Sequence, residues 1–336
     1  MDSLTHTVLG ACVGEALAGK KLGKKAMLWG AIANNAPDID VISSSWLDQP
    51  DSLLAHRGFT HSILFAIVFT LLAAWLMSKT DKKKSHSFSG WSWLIGINVF
   101  LHIIIDAFTA YGTGWFEPFS HHRVSLNMMF VADPFFTLPI LVVCISLLIL
   151  KRKSARRLTW ITWGLMLSFL YLLYACYHKI EVNNVVKQSL EKNKIQYSDF
   201  MATPTPLNNF LWYIAAASDS GYYVGYYSVF DQSKDISFHF VPRNDSLIRA
   251  QRNTDEVKKL IRFSQGYYCL QQVDKVIVFS DMRFGQIGGW DSGNAPFVFQ
   301  YRLIKSAYNS VIIQSGRFKA SSGEALSSMV RRIKGN

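Results

Sequence analysis

The chain has 336 residues, half of them hydrophobic and 17% charged, with 35 Lys and Arg against 23 Asp and Glu for a formal net charge of +12. That length allows about two domains, and so apolar a composition, with a mean hydropathy of +0.14, excludes a disordered, collagen-like or low-complexity chain. The charge is unevenly spread: 25 of residues 1–177 are charged against 33 of residues 178–336, and only the second density is near that of a soluble protein. The boundary predicts a helical membrane domain over 1–177 and a smaller soluble α+β domain over 178–336.

Cys12, Cys144 and Cys176 lie in apolar runs and Cys269 stands alone, which excludes a disulfide framework and a CxxC zinc site. The start, Met1 to His6, lacks the basic region and cleavage site of a removed signal peptide. The first two apolar runs, Leu4–Gly19 with His6 and Glu15 inside it and the 13-residue Lys24–Ala36, read as a helical hairpin packed into a bundle. Gly10, Gly14 and Ala18 fall four apart, the small-residue spacing that lets helices approach closely in lipid. Four further runs, Ser62–Met77, Trp91–Thr109, Pro134–Leu150 and Leu158–Tyr177, have 16 to 20 residues. At about 1.5 Å per residue they reach roughly 24–30 Å, close to the hydrocarbon thickness, so about four spans are expected.

Basic residues between the runs orient them. The linkers at 20–25, 79–84 and 151–157 hold 13 Lys and Arg, whereas 37–60 and 110–133 hold only Arg57 and Arg123. The asymmetry predicts that the three basic linkers face the cytoplasm. The alternate connections and everything after Tyr177 then lie outside it.

Polar residues that are rare in membrane proteins gather at the outward ends of these helices. His6 opens the first; Asp38 and Asp40 follow Pro37, which ends the second; His56, Arg57 and His61 precede the third; His102 and Asp106 sit in the outer half of the fourth; Asp133 precedes the fifth. His102 and Asp106 are four apart and share a helix face, with Asn98 a turn before them. Imidazole and carboxylate at that spacing can meet a divalent ion, and the mixed donor set suits zinc best, with manganese or iron also accepted. His6, Asp38, Asp40, His56, His61, His102 and Asp106 are the candidate ligands, enough for one or two ions, and paired ions commonly activate water and hold a phosphoryl group.

Each has a plainer alternative. His6 can be a hydrogen-bonded packing residue, Asp40 the cap of a turn, and the His102/Asp106 pair an ion pair between helices, although a charge at membrane depth usually serves a purpose. Glu15 reads as a partner of Lys20 or Lys21. His121 and His122 read as surface residues.

These stretches, Asp2–His6, Leu28–Gly30 through Pro37–Asp40, Arg57–Ser62, His102–Asp106, Tyr111–Thr113 and Asp133–Pro134, resemble the YdjM family of membrane-bound, metal-dependent hydrolases, described as controlled by the LexA repressor. The family is distantly similar to zinc-dependent phospholipase C and the P1-type nucleases, whose clusters also use an H-x-x-x-D pair. Those enzymes carry a second pair, H-x-x-x-E, which has no counterpart here, so a mono- or dinuclear site is expected. The resemblance implies an inner-membrane hydrolase in which activated water attacks an ester or phosphoester. The site's place at the outer face, where head groups lie, favours a lipid-like substrate such as a membrane phospholipid. His56 and His6 would be further ligands or proton carriers, and Arg57 would neutralise charge on the substrate. The alternative is a non-enzymatic protein with a structural metal site and a partner-binding outer domain. A transporter is disfavoured because the polar residues stop at one side.

In the second half, Asn208–Ser218 and Gly221–Phe230 around Asp219-Ser220-Gly221 predict a hairpin. Ile236–Val241, Lys275–Ser280 and Pro296–Ile304 read as strands, Ser246–Ser264 as a basic helix, and the end as a short basic helix. Asp281–Gly285 follows a strand and could reach a ligand, or it could be a plain turn. The half carries 20 basic and 13 acidic residues, suited to phosphate-bearing substrates or anionic head groups. No nucleic-acid-binding motif is visible, so no nucleic-acid partner is expected.

Overall fold

The computed structural model describes residues 1–81, 86–305, 310–315 and 323–335. Lys82, Lys83 and Lys84 of the second basic linker lie outside the described residues. The chain divides into two compact units: Met1–Ser45, Ala55–Leu126 and Phe130–Cys176 form the first, and Trp46–Leu54, Asn127–Met129 and Tyr177–Asn336 the second.

The first unit begins with helices α1 (Ser3–Leu22) and α2 (Lys25–Asn35). Asp2 caps α1 by accepting from the Thr5 amide, and Gly23, at φ 62°, makes the turn between them. The hairpin closes on glycine. A Cβ at Gly30 would lie 2.1 Å from the Gly10 carbonyl oxygen, and one at Gly14 would lie 2.2 Å from that of Ala26. Only hydrogen fits at this crossing, as the small-residue spacing predicts.

Pro37 ends α2 and opens a 3-10 turn, Pro37–Ser45, followed by the short helix α3 (Gln49–Ala55) and a 3-10 turn at Phe59–His61. Among the described residues, three helices are long and apolar enough to cross a membrane: α4 (Ile63–Thr80), α5 (Phe88–Asp106) and α7 (Arg156–Lys192). The fourth expected span, α6 (Pro134–Ile149), is a shorter apolar helix of 16 residues. Ser62 caps α4, Ser87 caps α5, and Asp133 caps α6 ahead of a proline at its first position. Ala66, Thr70 and Ala74 form the buried stripe of α4, which packs on Trp91, Leu94, Ile95 and Val99 of α5. The opposite face of α4, with Leu71, Leu72, Trp75 and Leu76, is exposed.

Glu15 does not pair with Lys20 or Lys21. Its Oε1 accepts from Arg157 Nε at 2.8 Å, both side chains are buried, and Arg157 also donates to the Leu147 and Leu150 carbonyls at the end of α6. One of the basic residues counted for orientation is thus an internal cation, placed where its guanidinium fills the unsatisfied carbonyls of a helix end.

In the second unit the last turns of α7 pack on a four-stranded antiparallel sheet, β1 (Asp199–Pro204), β2 (Leu211–Ala217), β3 (Gly221–Ser228) and β4 (His239–Pro242). Strand β2 is buried on both faces. Trp212, Ile214 and Ala216 meet Val182, Val185, Val186 and Leu190 of α7, while Tyr213 and Ala215 meet Cys269, Met282 and Phe297 of a second antiparallel sheet. That sheet is β5 (Tyr268–Val273), β6 (Val276–Gln286), β7 (Phe297–Lys305) and β8 (Ser310–Ser315). The β2–β3 hairpin forms as the turn signal predicts.

Ser246–Ser264 is not one helix. A 3-10 turn at Asp245–Ile248 is separated from α8 (Asp255–Phe263), because the polar run between Ile248 and Val257 offers nothing to bury; α8 itself buries Val257, Leu260 and Phe263. Asp281 to Gly285 is no turn either. It lies within β6, where Asp281 and Arg283 form a buried ion pair at 2.7 Å.

Candidate metal centre

The first unit brings polar residues together from four stretches of chain. The proline after α2 turns Asp38 and Asp40 back towards the bundle, the Phe59–His61 turn delivers His61, and the last two turns of α5 deliver His102 and Asp106. His61, His102 and Asp106 are fully buried, while the Asp38 side chain keeps 18% of its exposure.

Four ligand atoms converge: Asp38 Oδ1, His61 Nε2, His102 Nε2 and Asp106 Oδ2. The two imidazole nitrogens are 3.0 Å apart. His61 Nε2 is 3.5 Å from Asp38 Oδ1 and 3.3 Å from Asp106 Oδ2, and His102 Nε2 is 3.5 Å from each carboxylate oxygen. A tetrahedron with ligand distances of about 2.0–2.1 Å has edges of about 3.3–3.4 Å, so these separations fit one small divalent ion. Asp106 Oδ2 accepts no hydrogen bond of good geometry, although the Arg57 guanidinium lies beside it as an ion-pair partner. A second group, Asp38, Asp40 and His56, is also close enough to share an ion and has Asp38 in common with the first.

The surroundings set the protonation pattern. His61 Nδ1 lies 3.3 Å from Asp40 Oδ2 and 3.1 Å from Thr60 Oγ1, which places its proton on Nδ1 and leaves the Nε2 lone pair facing the other ligands. Asp40 is fully engaged: Oδ2 accepts from the Arg57 amide at 2.9 Å and Thr60 Oγ1 at 2.8 Å, and Oδ1 meets His56 Nδ1 at 3.0 Å. Burial alone would raise the Asp40 carboxyl, but hydrogen bonds with His56 and His61 outweigh it and hold it well below the usual carboxylate range. Asp38 is likewise held low by His102 and His61 against the effect of burial. Burial pulls the His56 imidazole below its ordinary value, with the Asp40 hydrogen bond opposing.

The remaining predicted residues stand one step further out. His6 Nε2 reaches Asp106 Oδ1 at 3.1 Å, and its ring stacks on His102 with centroids 3.8 Å apart. The Met1 amine also contacts Asp106 Oδ1. Arg57, at φ 58° and buried, does not face outward: Nε lies 3.1 Å from Asp106 Oδ2, Nη1 donates to Thr109 Oγ1 at 2.9 Å, and the guanidinium sits 4.9 Å from the Tyr111 ring centroid. Asp133 is used as the α6 cap and accepts from Tyr171 at 2.7 Å. Asn98 bonds to the Leu94 carbonyl.

Sequence reasoning missed Asn34, Thr60, Thr109 and Tyr111. Asn34 donates to the Asn98 carbonyl at 3.0 Å, which fixes its amide so that Oδ1 meets His6 Nδ1 at 3.1 Å. Its signal was present: Asn34 lies one turn after Gly30, on the tightly packed face of α2.

Comparison with known proteins agrees with the membrane architecture. The uncharacterized protein YfhP of Bacillus subtilis (strain 168) is 24% identical over 337 residues, covering 95% of this chain and 98% of YfhP. The inner membrane protein YbcI of Escherichia coli (strain K12) is 30% identical over 122 residues, covering 36% of this chain and 69% of YbcI. No solved structure matches the chain. The profile of the YdjM inner membrane protein family matches residues 1–182, more than half of the sequence and every residue of the His/Asp centre, and the chain belongs to that family.

Proposed function

We propose that the chain is an integral membrane, metal-dependent hydrolase that cleaves an ester or phosphoester, with a lipid-like substrate. The observation that carries this reading is the convergence of Asp38, His61, His102 and Asp106 at separations close to tetrahedral, with Asp106 Oδ2 fully buried. A divalent ion held there supplies Lewis-acid activation of water and of the substrate oxygen; zinc suits the donor set, and Asp38 is placed to be shared if a second ion binds beside Asp40 and His56.

The chain's own residues then divide the work. Asp40 fixes the tautomer and orientation of His61. His56, 28% exposed with Nδ1 held by Asp40, would take a proton from the attacking water at Nε2 and pass it on to the leaving group. Arg57 acts by position, balancing the Asp106 carboxylate from the side. His6 steadies the other oxygen of Asp106. The basic linker residues, 12 of the 13 once the internal Arg157 is set aside, support an arrangement with those linkers in the cytoplasm and the centre and second unit outside; a reporter fused to the C-terminus should then give an extracytoplasmic signal.

The deciding experiment is elemental analysis of the purified protein, followed by hydrolysis of phospholipids and of soluble phosphoesters with and without chelator. Absence of any transition metal, together with full activity of Asp106→Asn, would sink the proposal. One observation favours a second reading. Four protein donors, three of them fully buried, resemble a closed structural site. In that case chelation lowers thermal stability, no substrate is hydrolysed, and the second unit serves to bind a partner.

A further inference from the structure

The segments that carry the centre's loop residues are apolar on their outer side. In a 3-10 turn, residues three apart share a row. Along Pro37–Ser45, Pro37 and Asp40 form the buried row, while Ile39 and Ile42 form an outward one, 59% and 56% exposed, with Val41 beside them. Phe59, two residues before the ligand His61, is also exposed. So are Phe116 and, at 84%, Phe119 in the turn that follows Gly114.

These three segments are tied together. Thr60 Oγ1 and the Arg57 amide both donate to Asp40, the Gly114 amide donates to the Arg57 carbonyl at 2.8 Å, and the Ile63 amide donates to the Trp115 carbonyl at 3.0 Å. Their apolar side is continuous with a membrane-crossing helix. Phe59 packs against Phe65 of α4, whose exposed Ile63, Leu64, Ile67 and Val68 carry the same surface onward. Exposed apolar residues on soluble surfaces are scattered singly. A cluster that begins at a metal-competent centre and continues onto a span calls for lipid as its neighbour. The one ligand of the four that is not fully buried, Asp38, lies on this turn, between Pro37 and Ile39.

We propose that the Pro37–Ser45 turn, Phe59 and the turn bearing Phe116 and Phe119 form an insertion surface seated in one bilayer leaflet, so that the centre is reached past Asp38 from the headgroup layer. The surface is that of a lipid leaflet, and the access route rests on the hydrolase reading above, whereas the insertion does not.

Nitroxide labels at Ile42→Cys, Phe59→Cys and Phe119→Cys, in full-length protein reconstituted into phosphatidylethanolamine/phosphatidylglycerol vesicles, test the insertion. The unsubstituted protein gives the background from native cysteines, and Lys234→Cys, exposed in the second unit, gives a water reference. Collision with oxygen should exceed collision with a water-soluble nickel chelate at the three sites, and the order should reverse at Lys234. Nickel dominance at the three sites, or low collision with both agents because protein covers them, overturns the proposal. The access route is read from a short-chain ester or phosphoester titrated through its critical micelle concentration. The rate should rise about tenfold or more as micelles form; a smooth saturation curve through that point, with labels still in the leaflet, overturns the route. Inactivity on every substrate would count against the hydrolase reading and leave the nitroxide result to decide the insertion.

Discussion

Replacing Asp40 by Asn separates two roles that a carboxylate beside a metal centre can have. The side chain keeps its size. An amide oxygen at the Oδ2 position can still accept from the Arg57 amide at 2.9 Å and Thr60 at 2.8 Å, with the amide nitrogen turned to His56 Nδ1, which then acts as acceptor. What is lost is negative charge facing His61 Nδ1 at 3.3 Å. A hydrogen bond to a charged group contributes about 1.5–3 kcal/mol against about 0.5–1.5 for a neutral one, so the His61 contact weakens by about 1–1.5 kcal/mol, with a smaller term from His56. Loss of an outer carboxylate behind a ligating histidine typically lowers metal affinity by about 10–100-fold, or roughly 1.4–2.7 kcal/mol, and the two estimates agree. Competition against a fluorescent chelator, with circular dichroism to confirm the fold, measures it. Asp38→Asn, which replaces a charged ligand oxygen by a weakly donating amide oxygen, should lose far more. Unchanged affinity in Asp40→Asn would refute the orienting role, and a loss equal to that of Asp38→Asn would make Asp40 a ligand itself.

Three further outcomes follow from other parts of the fold. Gly30→Ala places a methyl 2.1 Å from one backbone oxygen and 2.7 Å from the Gly14 Cα, so its helix-propensity gain of about 1 kcal/mol is outweighed by strain of about 1–3 kcal/mol or more; a lower melting temperature in detergent and weaker metal binding through His6 and Asn34 are expected, and a melting temperature at or above that of the parent would contradict it. Glu15→Ala leaves Arg157 buried without its carboxylate, which should cost about 3–5 kcal/mol, while the paired change Glu15→Leu with Arg157→Met should recover most of it; equal melting temperatures for the single and double variants would count against this. In the second unit Cys269 is 1% exposed and burial pushes its thiol up to about 12, so maleimide at pH 7.5 should leave it unlabelled until the unit is unfolded, and rapid labelling of the native protein would show the packing to be wrong.

What the sequence made legible was whatever follows from local spacing. The proline after Asn35 marks a helix end, Gly10 and Gly14 mark a close crossing, and His102 and Asp106 mark one helix face; each is recovered in the first unit. The hairpin around Asp219 to Gly221 is equally local. What spacing could not supply was the use of a group once the chain has folded. Asp38 and Asp40 look alike in sequence, yet Asp38 faces two imidazole nitrogens while Asp40 is occupied by an amide, a hydroxyl and two histidines behind them. Arg157 counts as a linker cation until Glu15, 142 residues away, is seen beside it. Strands β1, β5 and β8 passed unrecognised for a similar reason. Their short, mixed sequences become strands through partners elsewhere in the chain, and Asp281 and Arg283 sit inside β6 because their charges cancel there.

The sources of the four converging donors also order events in time. A chain synthesised only as far as the end of α4 holds Asp38 and His61 but neither His102 nor Asp106, which arrive with the last two turns of α5. Half a tetrahedron binds a divalent ion weakly, and the loop between Asp38 and Asp106 can be closed only when both helical pairs are packed side by side. If the centre holds an ion, it would be acquired only once both helical pairs are packed, tying together segments that translation delivers separately, and its occupancy would report completed assembly.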